Sequence, residues 1–255
     1  SVVPLNLMMP GNPRTQPKDL QEWFGYDNIA KSYVRVQVAS MLTLHEFGII
    51  ADADIQLLTP EVMAKLLEIT TTKNDEIERT LTNHDIRAPV HQTQAIVPES
   101  LHVPMTSYDV IDTARALQYA GAHNNVVRPK LLPVLGILRG HAMQHRSTAQ
   151  IGRTHGQHAL PITLGFWIST IMSRLLYNIE QADTYAAGLV GKIAGAVGAY
   201  NAQKGLGIYE HNGIRFEDRV LDRLGLKPAL ISTQIVPPEP LAYYLYSILM
   251  LSGAF

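Results

Sequence analysis

A polar segment in the middle of the chain carries the residue types needed for acid–base chemistry. Residues 152–165 read GRTHGQHALPITLG and come directly before an apolar helical pattern. Proline suits the first turn of a helix, so we predict a loop that leads into a helix at Pro161. A helix N-terminus favours anions. The loop brings four polar side chains close to it: Arg153, Thr154, His155 and Gln157. Histidine titrates near neutrality, so His155 could exchange a proton with a bound anion.

Two other segments offer similar groups. His84 stands beside Asp85, and His102 comes shortly before the hydroxyls of Thr106 and Ser107. Together with the first segment they supply imidazoles, hydroxyl donors and an arginine. This set suits elimination of a group β to a carboxylate, which needs a base, an acid and donors for the developing dianion. The alternative is that these side chains merely cap the ends of secondary-structure elements.

A metal site is not predicted. His141 and His145 have the i, i+4 spacing of a metal-binding pair, but no glutamate follows His141 and the chain has no cysteine. Their place near a helix end favours interaction with the helix dipole. The G-x-S-x-G pattern of many hydrolases is also missing from the sequence. We therefore predict no metal ion and no cofactor.

The elements that must position these groups are predicted to be helices. Apolar residues recur at helical spacing in several long stretches, and no strand alternation or G-x-G-x-x-G pattern competes with them. The sequence thus predicts an all-α fold with a bundle of long helices. Pro89 is expected to interrupt a short helix around residues 81–87. Prolines near residues 95–105 mark a boundary between a small N-terminal helical domain (1–100) and a helical-bundle domain (101–255).

Composition narrows the classes of partner. A formal net charge of −1 argues against broad binding of nucleic acid. No apolar run reaches the ~18 residues of a membrane span, and no signal peptide is recognisable. We therefore expect a soluble, cytoplasmic protein with a small-molecule substrate. The helices have wide apolar faces, which predicts that copies of the chain associate.

Five segments, in order along the chain, carry a family resemblance. They are NHD at 83–85, TSYDVIDTA at 106–114, GRTHGQHALP at 152–161, GKIAGAVG at 191–198, and LGLKP at 224–228 followed by STQ at 232–234. These segments resemble the fumarase/aspartase superfamily and, within it, the adenylosuccinate lyases.

The resemblance implies a nearly all-helical, three-domain subunit that forms a homotetramer, with active sites built from three subunits. It implies release of fumarate from a succinyl-amino purine nucleotide in purine biosynthesis. By motif position His155 would be the general acid, and His84 would orient or assist it. The substrate-binding residues would be Thr106 and Ser107 for the succinyl carboxylate, His102 and Arg14 towards the phosphate, and Asp109, Arg153, Thr154, Gln157 and Gln234 elsewhere on the substrate.

The catalytic base of the family is a serine in a loop of the form G-S-S-x-M-P-x-K-x-N-P. These 255 residues contain no such stretch. We therefore expect a truncated bundle domain, a piece of a longer protein, and little or no turnover by this chain alone. Two alternatives stay open: a carboxymuconate cycloisomerase of the same superfamily, and a helical paralogue without catalytic activity.

Overall fold

The structure is a computed structural model that describes residue 8 and residues 13–83, 86–97 and 102–254. Most of the described chain is helical, which confirms the predicted fold class. The α-helices are α1 Gln21–Phe24, α2 Ile29–Glu46, α3 Asp52–Ile55, α4 Pro60–Leu66, α5 Thr71–Ile77, α6 Arg87–Ile96, α7 Ser107–Ala122, α8 Arg128–Gln144, α9 Leu164–Ala187, α10 Asn201–Gly205, α11 Phe216–Arg223 and α12 Glu239–Ser252. Short 3₁₀ turns cover Pro13–Thr15, Lys18–Leu20 and Tyr26–Asn28, and π-helical turns cover Glu78–Thr82 and His123–Val127.

Three small sheets of two strands each accompany the helices. The strands are β1 Ala149–Thr154, β2 Gln157–Thr163, β3 Val190–Gly191, β4 Glu210–His211, β5 Ile214–Arg215 and β6 Lys227–Pro228. Strands β1 and β2 pair antiparallel, as do β4 and β5, whereas β3 and β6 pair parallel.

The chain divides into two compact units that alternate along the sequence. Unit 1 comprises residues 1–121 and 189–238, and unit 2 comprises residues 122–188 and 239–255. The division predicted at residue 100 is a single cut along the chain, and it stays a prediction.

The core of unit 1 forms where α11 packs on α2. Phe216 and Leu221 of α11 and Leu44 of α2 are fully buried. The ring of Phe216 meets that of Phe47 edge to face, with 5.6 Å between centroids, an arrangement favoured by the charge distribution of aromatic rings. A helix with one strongly apolar face, such as α11, is stabilised by this packing more than by its own propensity.

Unit 2 is a bundle in which α8 and α12 both pack on α9. Leu175 and Ile179 of α9 are buried against Leu251 of α12, and Leu131, Leu135 and Leu138 of α8 pack on the same cluster. The helical spacing of these leucines predicts this shared face. The start of α9 is also joined to the end of α8 through the backbone, because the Gly165 N–H donates to the His145 carbonyl at 3.0 Å.

Two predictions from proline positions are wrong. Pro161 lies inside β2, and α9 begins only at Leu164, where the Thr163 hydroxyl accepts a hydrogen bond from the Phe166 N–H at 3.1 Å. Pro89 lies in the first turn of α6 and does not end a helix. A proline in the first turn lacks only an N–H that has no partner within the helix, so it is tolerated there.

Candidate active site

His155 sits at the tip of the hairpin formed by β1 and β2. Thr154 pairs with Gln157 across the hairpin, which leaves His155 and Gly156 as a two-residue turn. Both turn residues have positive φ, 52° and 71°. Two consecutive positive φ values match a type I′ turn, whose twist suits a right-handed hairpin. The segment predicted as a loop is therefore a hairpin that carries His155 in its turn.

The hairpin collects the other polar residues of its motif at the same end. Arg153, Thr154, His155 and Gln157 are all exposed. Arg153 pairs with His158, one step further from the turn. Within the described part of the chain, these side chains make no hydrogen bond or ion pair with other groups. They are thus available to an external ligand.

An open cavity lies at the base of the hairpin within unit 2. Its volume is about 730 Å³, and its lining combines Arg153 and Thr154 with Leu160, Phe166 and Trp167 among others. The side chains of Leu160, Phe166 and Trp167 are 75%, 58% and 48% exposed. A surface with large apolar groups beside a cation fits a partner that is itself partly apolar.

Thr106 and Ser107 stand at the beginning of α7 in unit 1. The Thr106 N–H donates to Oδ2 of Asp109 at 2.8 Å, so the carboxylate caps the start of the helix. Both residues are half-buried. Their position at the N-terminal end of a long helix, where the dipole is positive, suits a carboxylate ligand.

Asp109 itself is not open to a ligand. Its side chain is fully buried and forms an ion pair with Lys192, which is buried to the same extent. Its oxygens also accept from the N–H groups of Ala194 at 3.1 Å and Gly195 at 3.1 Å. These contacts occupy both carboxylate oxygens inside the protein, so the direct substrate contact expected from the motif stays a prediction that the burial of Asp109 does not favour.

Four predicted site residues remain, and of these only His102 is close to the start of α7 in the sequence. His102 is half-buried, and its carbonyl accepts from the Met105 N–H at 2.8 Å in the turn before α7. Arg14 and Gln234 are exposed. His84, like its neighbour Asp85, lies outside the described residues.

The segment that holds Gln234 is tied to α7. Val236, two residues further on, donates its N–H to Oδ2 of Asp112 at 2.9 Å. Asp112 is buried and also pairs with Arg115 at 3.2 Å. A side chain added at Gly198 would lie 2.1 Å from the Ser232 carbonyl oxygen, so only glycine allows this approach. Unit 1 therefore gathers the start of α7, the 192–198 segment and the 232–236 segment around two buried carboxylates.

Sequence reasoning missed the buried groups that hold these segments. Glu217 is buried, accepts from the Ile193 N–H at 2.8 Å and from the Tyr200 hydroxyl at 2.6 Å, and lies at the start of α11. Burial raises the pKa of Glu217, and the hydrogen bonds from Tyr200 and Ile193 partly oppose this change. No local pattern marks either residue as buried, since Lys192 follows a glycine and Glu217 is followed by further charged residues.

Metal binding finds no support in the described residues. They include no group of three or more histidine, aspartate or glutamate side chains placed to hold an ion. His141 and His145 stack with 6.5 Å between ring centroids, and Nδ1 of His145 lies 3.2 Å from the Thr148 hydroxyl. No helix among the described residues has the length and apolar character needed to cross a membrane.

Comparison with known proteins gives the family. The family model described as Lyase matches residues 51–212. Adenylosuccinate lyase of Archaeoglobus fulgidus is 32% identical over 89% of this chain and 49% of its own length. Adenylosuccinate lyase of Streptococcus mutans is 36% identical over 78% of this chain and 46% of its own. The chain thus spans about half the length of these curated relatives.

Solved structures share the fold. A fumarate lyase from Mesorhizobium sp. BNC1 superposes with a TM-score of 0.75 at 24% identity, covering 96% of this chain and 56% of that one. The β-carboxy-cis,cis-muconate cycloisomerase of Acinetobacter calcoaceticus gives 0.75 at 20% identity, covering 93% and 55%.

The mostly helical fold and the matching motifs are those of a lyase family. The chain belongs to this lyase family, within the fumarase/aspartase superfamily, and is adenylosuccinate lyase-like. The resemblance drawn from the five motifs is confirmed.

Proposed function

We propose that this chain supplies part of the active site of an enzyme that eliminates fumarate from a succinyl-amino purine nucleotide, as a step of purine nucleotide biosynthesis. The observation that carries the proposal is the position of His155, exposed at the tip of a hairpin with Arg153, Thr154 and Gln157 around it. The names of the curated relatives support the substrate class.

In the proposed reaction, a base removes the proton from the carbon β to the departing nitrogen, and the C–N bond then breaks. The electron pair of the C–H bond forms the double bond of fumarate by way of a carbanion stabilised by the adjacent carboxylate. His155 donates its proton to the departing amine, so that the nitrogen leaves uncharged. The hydroxyls of Thr106 and Ser107, at the positive end of α7, would bind the carboxylate on which negative charge builds up.

Other residues would bind the substrate. His84 would orient or assist His155, His102 and Arg14 would lie towards the phosphate, and Gln234 would contact the substrate. Arg153 would add a guanidinium, which suits carboxylate and phosphate because of its planar set of donors.

We further propose that the chain acts as a homo-oligomer, as expected for a tetramer whose active sites combine residues of several subunits. Unit 2 exposes several large apolar side chains on its helices, including Phe166, Trp167, Tyr177, Tyr246 and Leu249. Exposed apolar groups in such number usually mark an interface. Light scattering after size exclusion should show an oligomer at micromolar concentration, and a monomer would contradict this part of the proposal.

The enzymatic test is fumarate release from adenylosuccinate by the protein expressed from its native gene. His155→Asn should lower kcat by about 10²–10⁴-fold, as expected on losing a general acid. Asparagine tolerates positive φ, so the turn is kept. His158→Asn, an exposed position on the same hairpin, is the matched control and should stay within about threefold of the wild type. Equal activity of His155→Asn and wild type would refute the assignment.

The alternative substrate is a carboxylated muconate, since the chain shares its fold with a β-carboxy-cis,cis-muconate cycloisomerase. A competition assay of AMP against carboxylated muconate separates the two. Binding of AMP would support a nucleotide substrate. Binding of the carboxylated muconate without binding of AMP would support the cycloisomerase alternative. A protein that binds neither, and whose His155 variant retains every biological activity, would be a non-catalytic paralogue.

A further inference from the structure

We propose that Asp109 and Lys192 are a positioning pair. Their buried ion pair fixes Thr106 and Ser107 against the backbone of residues 194–195 and so determines how tightly a dicarboxylate binds there. This inference rests on the proposed function of Thr106 and Ser107, and it adds two residues that do not touch the substrate themselves.

The first argument is the location of the charges. The side chains of both Asp109 and Lys192 have 0% relative exposure. Removing two charges from water costs more than their attraction returns unless further hydrogen bonds satisfy them, so a buried pair adds little to stability by itself. A buried pair of this kind contributes mainly by fixing the positions of the groups that are hydrogen-bonded to it.

Asp109 divides its acceptor capacity between two pieces of backbone. Oδ2 accepts from the Thr106 N–H at 2.8 Å and from the Gly195 N–H at 3.1 Å. Oδ1 accepts from Lys192 and from the Ala194 N–H at 3.1 Å. One carboxylate therefore links the residue before α7 to a segment more than 80 residues further along the chain.

Several hydrogen bonds hold Lys192 in place, so it can anchor the carboxylate of Asp109. Its N–H donates to the Thr113 hydroxyl at 3.1 Å, and that hydroxyl donates to the Lys192 carbonyl at 2.9 Å. Nζ also donates to the Gly195 carbonyl at 3.1 Å. The neighbouring Gly191 packs closely against the side chains of Leu221 and Thr113, where an added Cβ would lie 2.6 Å and 3.0 Å from them.

The consequence concerns the helix start. The Thr106 N–H has no backbone acceptor in α7, because the first N–H groups of a helix lack one. The Asp109 side chain supplies the acceptor instead. Without the Lys192 charge, Asp109 would be a buried carboxylate that lacks its cation. It would move towards water, and Thr106 would lose its fixed orientation. A ligand held by the Thr106 and Ser107 hydroxyls would then bind more weakly.

The experiment uses fumarate as the probe. Binding to the protein expressed from its native gene is followed by isothermal titration calorimetry, for the wild type, Asp109→Asn and Lys192→Met. Arg219→Met is the matched control, since Arg219 forms an ion pair with Glu46 in the same unit, and the two residues join α11 to α2. Each variant is also titrated with urea, so that folding is measured separately.

We expect Asp109→Asn and Lys192→Met to weaken fumarate binding about tenfold or more while folded, and Arg219→Met to stay within about twofold. Wild-type affinity in either folded variant would overturn the inference. Should a single variant not fold, the uncharged Asp109→Asn/Lys192→Met double variant removes both charges together, and it is expected to fold and still bind weakly.

A wild-type chain that does not bind fumarate would count against the proposed function alone. The positioning pair would then be judged by hydrogen exchange of the Thr106 amide. The exchange should be slow in the wild type and at least about tenfold faster in Lys192→Met, with the amide of Ala114 in the middle of α7 as the internal reference. Fast exchange of Thr106 in the wild type would refute the pair without any variant.

Discussion

Replacing Gly165 with alanine should separate the helices that support the hairpin. A Cβ at this position would lie 2.3 Å from the Ala142 carbonyl oxygen and 2.9 Å from the backbone of Arg146. These are main-chain atoms of α8 and the residues directly after it, so no side-chain rotation can relieve the overlap. The start of α9, the root of β2 and the end of α8 must shift together.

The size of the effect follows from two opposing contributions. Overpacking costs about 1–3 kcal/mol, and a clash with backbone belongs at the upper end of that range. Alanine gains up to about 1 kcal/mol over glycine in a helix, although less at the second residue of α9 than in its middle. Gly165→Ala should therefore lower the free energy of unfolding by about 2 kcal/mol, and the thermal midpoint by roughly 4–8 °C.

Gly140→Ala is the matched control because it lies inside α8 with nothing within 4 Å of an added Cβ. It should raise the free energy of unfolding by about 0.5–1 kcal/mol through helix propensity alone. Urea denaturation followed by far-ultraviolet circular dichroism measures both variants. Opposite signs would support the close approach of α8 and α9, and a Gly165→Ala chain at least as stable as the wild type would refute it.

Three further predictions concern stability. Burial by itself raises the pKa of Asp183, but hydrogen bonds from Arg128 and His123 outweigh it and hold that pKa below its usual range. The wild type should therefore be more stable than Asp183→Asn at neutral pH, and in urea titrations the difference should begin to shrink near the usual aspartate pKa of about 4 and be lost only as the pH falls through the lowered pKa of Asp183. Burial raises the pKa of Glu217, so its contribution to stability is lost as the pH rises through that raised pKa. Glu217→Gln should therefore stay within about 1 kcal/mol of the wild type and gain on it in urea titrations as the pH rises above the usual glutamate range. Thr163→Ala removes the hydroxyl that caps α9 and should cost about 1 kcal/mol, which differential scanning calorimetry can measure, while an unchanged midpoint would deny the cap any role.

The helical spacing of apolar residues predicted the bundle, because the contacts between its helices recur at the same spacing. Leu131, Leu135 and Leu138 fall on one helix face at the spacing that the sequence displays, and the structure buries that face. The motif around His155 predicted both the family and the polar cluster. It misled about local structure, since Pro161 is equally compatible with the outer edge of a two-stranded hairpin.

The positioning groups could not be found from local patterns. Lys192 looks like any surface lysine until its partner, 83 residues away, is known. The same holds for Glu217, whose partner Ile193 lies 24 residues earlier. Buried polar contacts over such distances depend on tertiary packing, and a single sequence records only their end points.

The alternation of the two units has a consequence for synthesis on the ribosome. The chain passes from one unit to the other after residues 121, 188 and 238. Unit 1 therefore cannot be completed until residues 189–238 have emerged, when Arg219 can pair with Glu46, 173 positions earlier. Unit 2 waits still longer, because Leu251 of α12 completes its core and α12 follows residue 238. Since loop closure must precede such distant contacts, each unit exposes apolar faces until its second segment has been made.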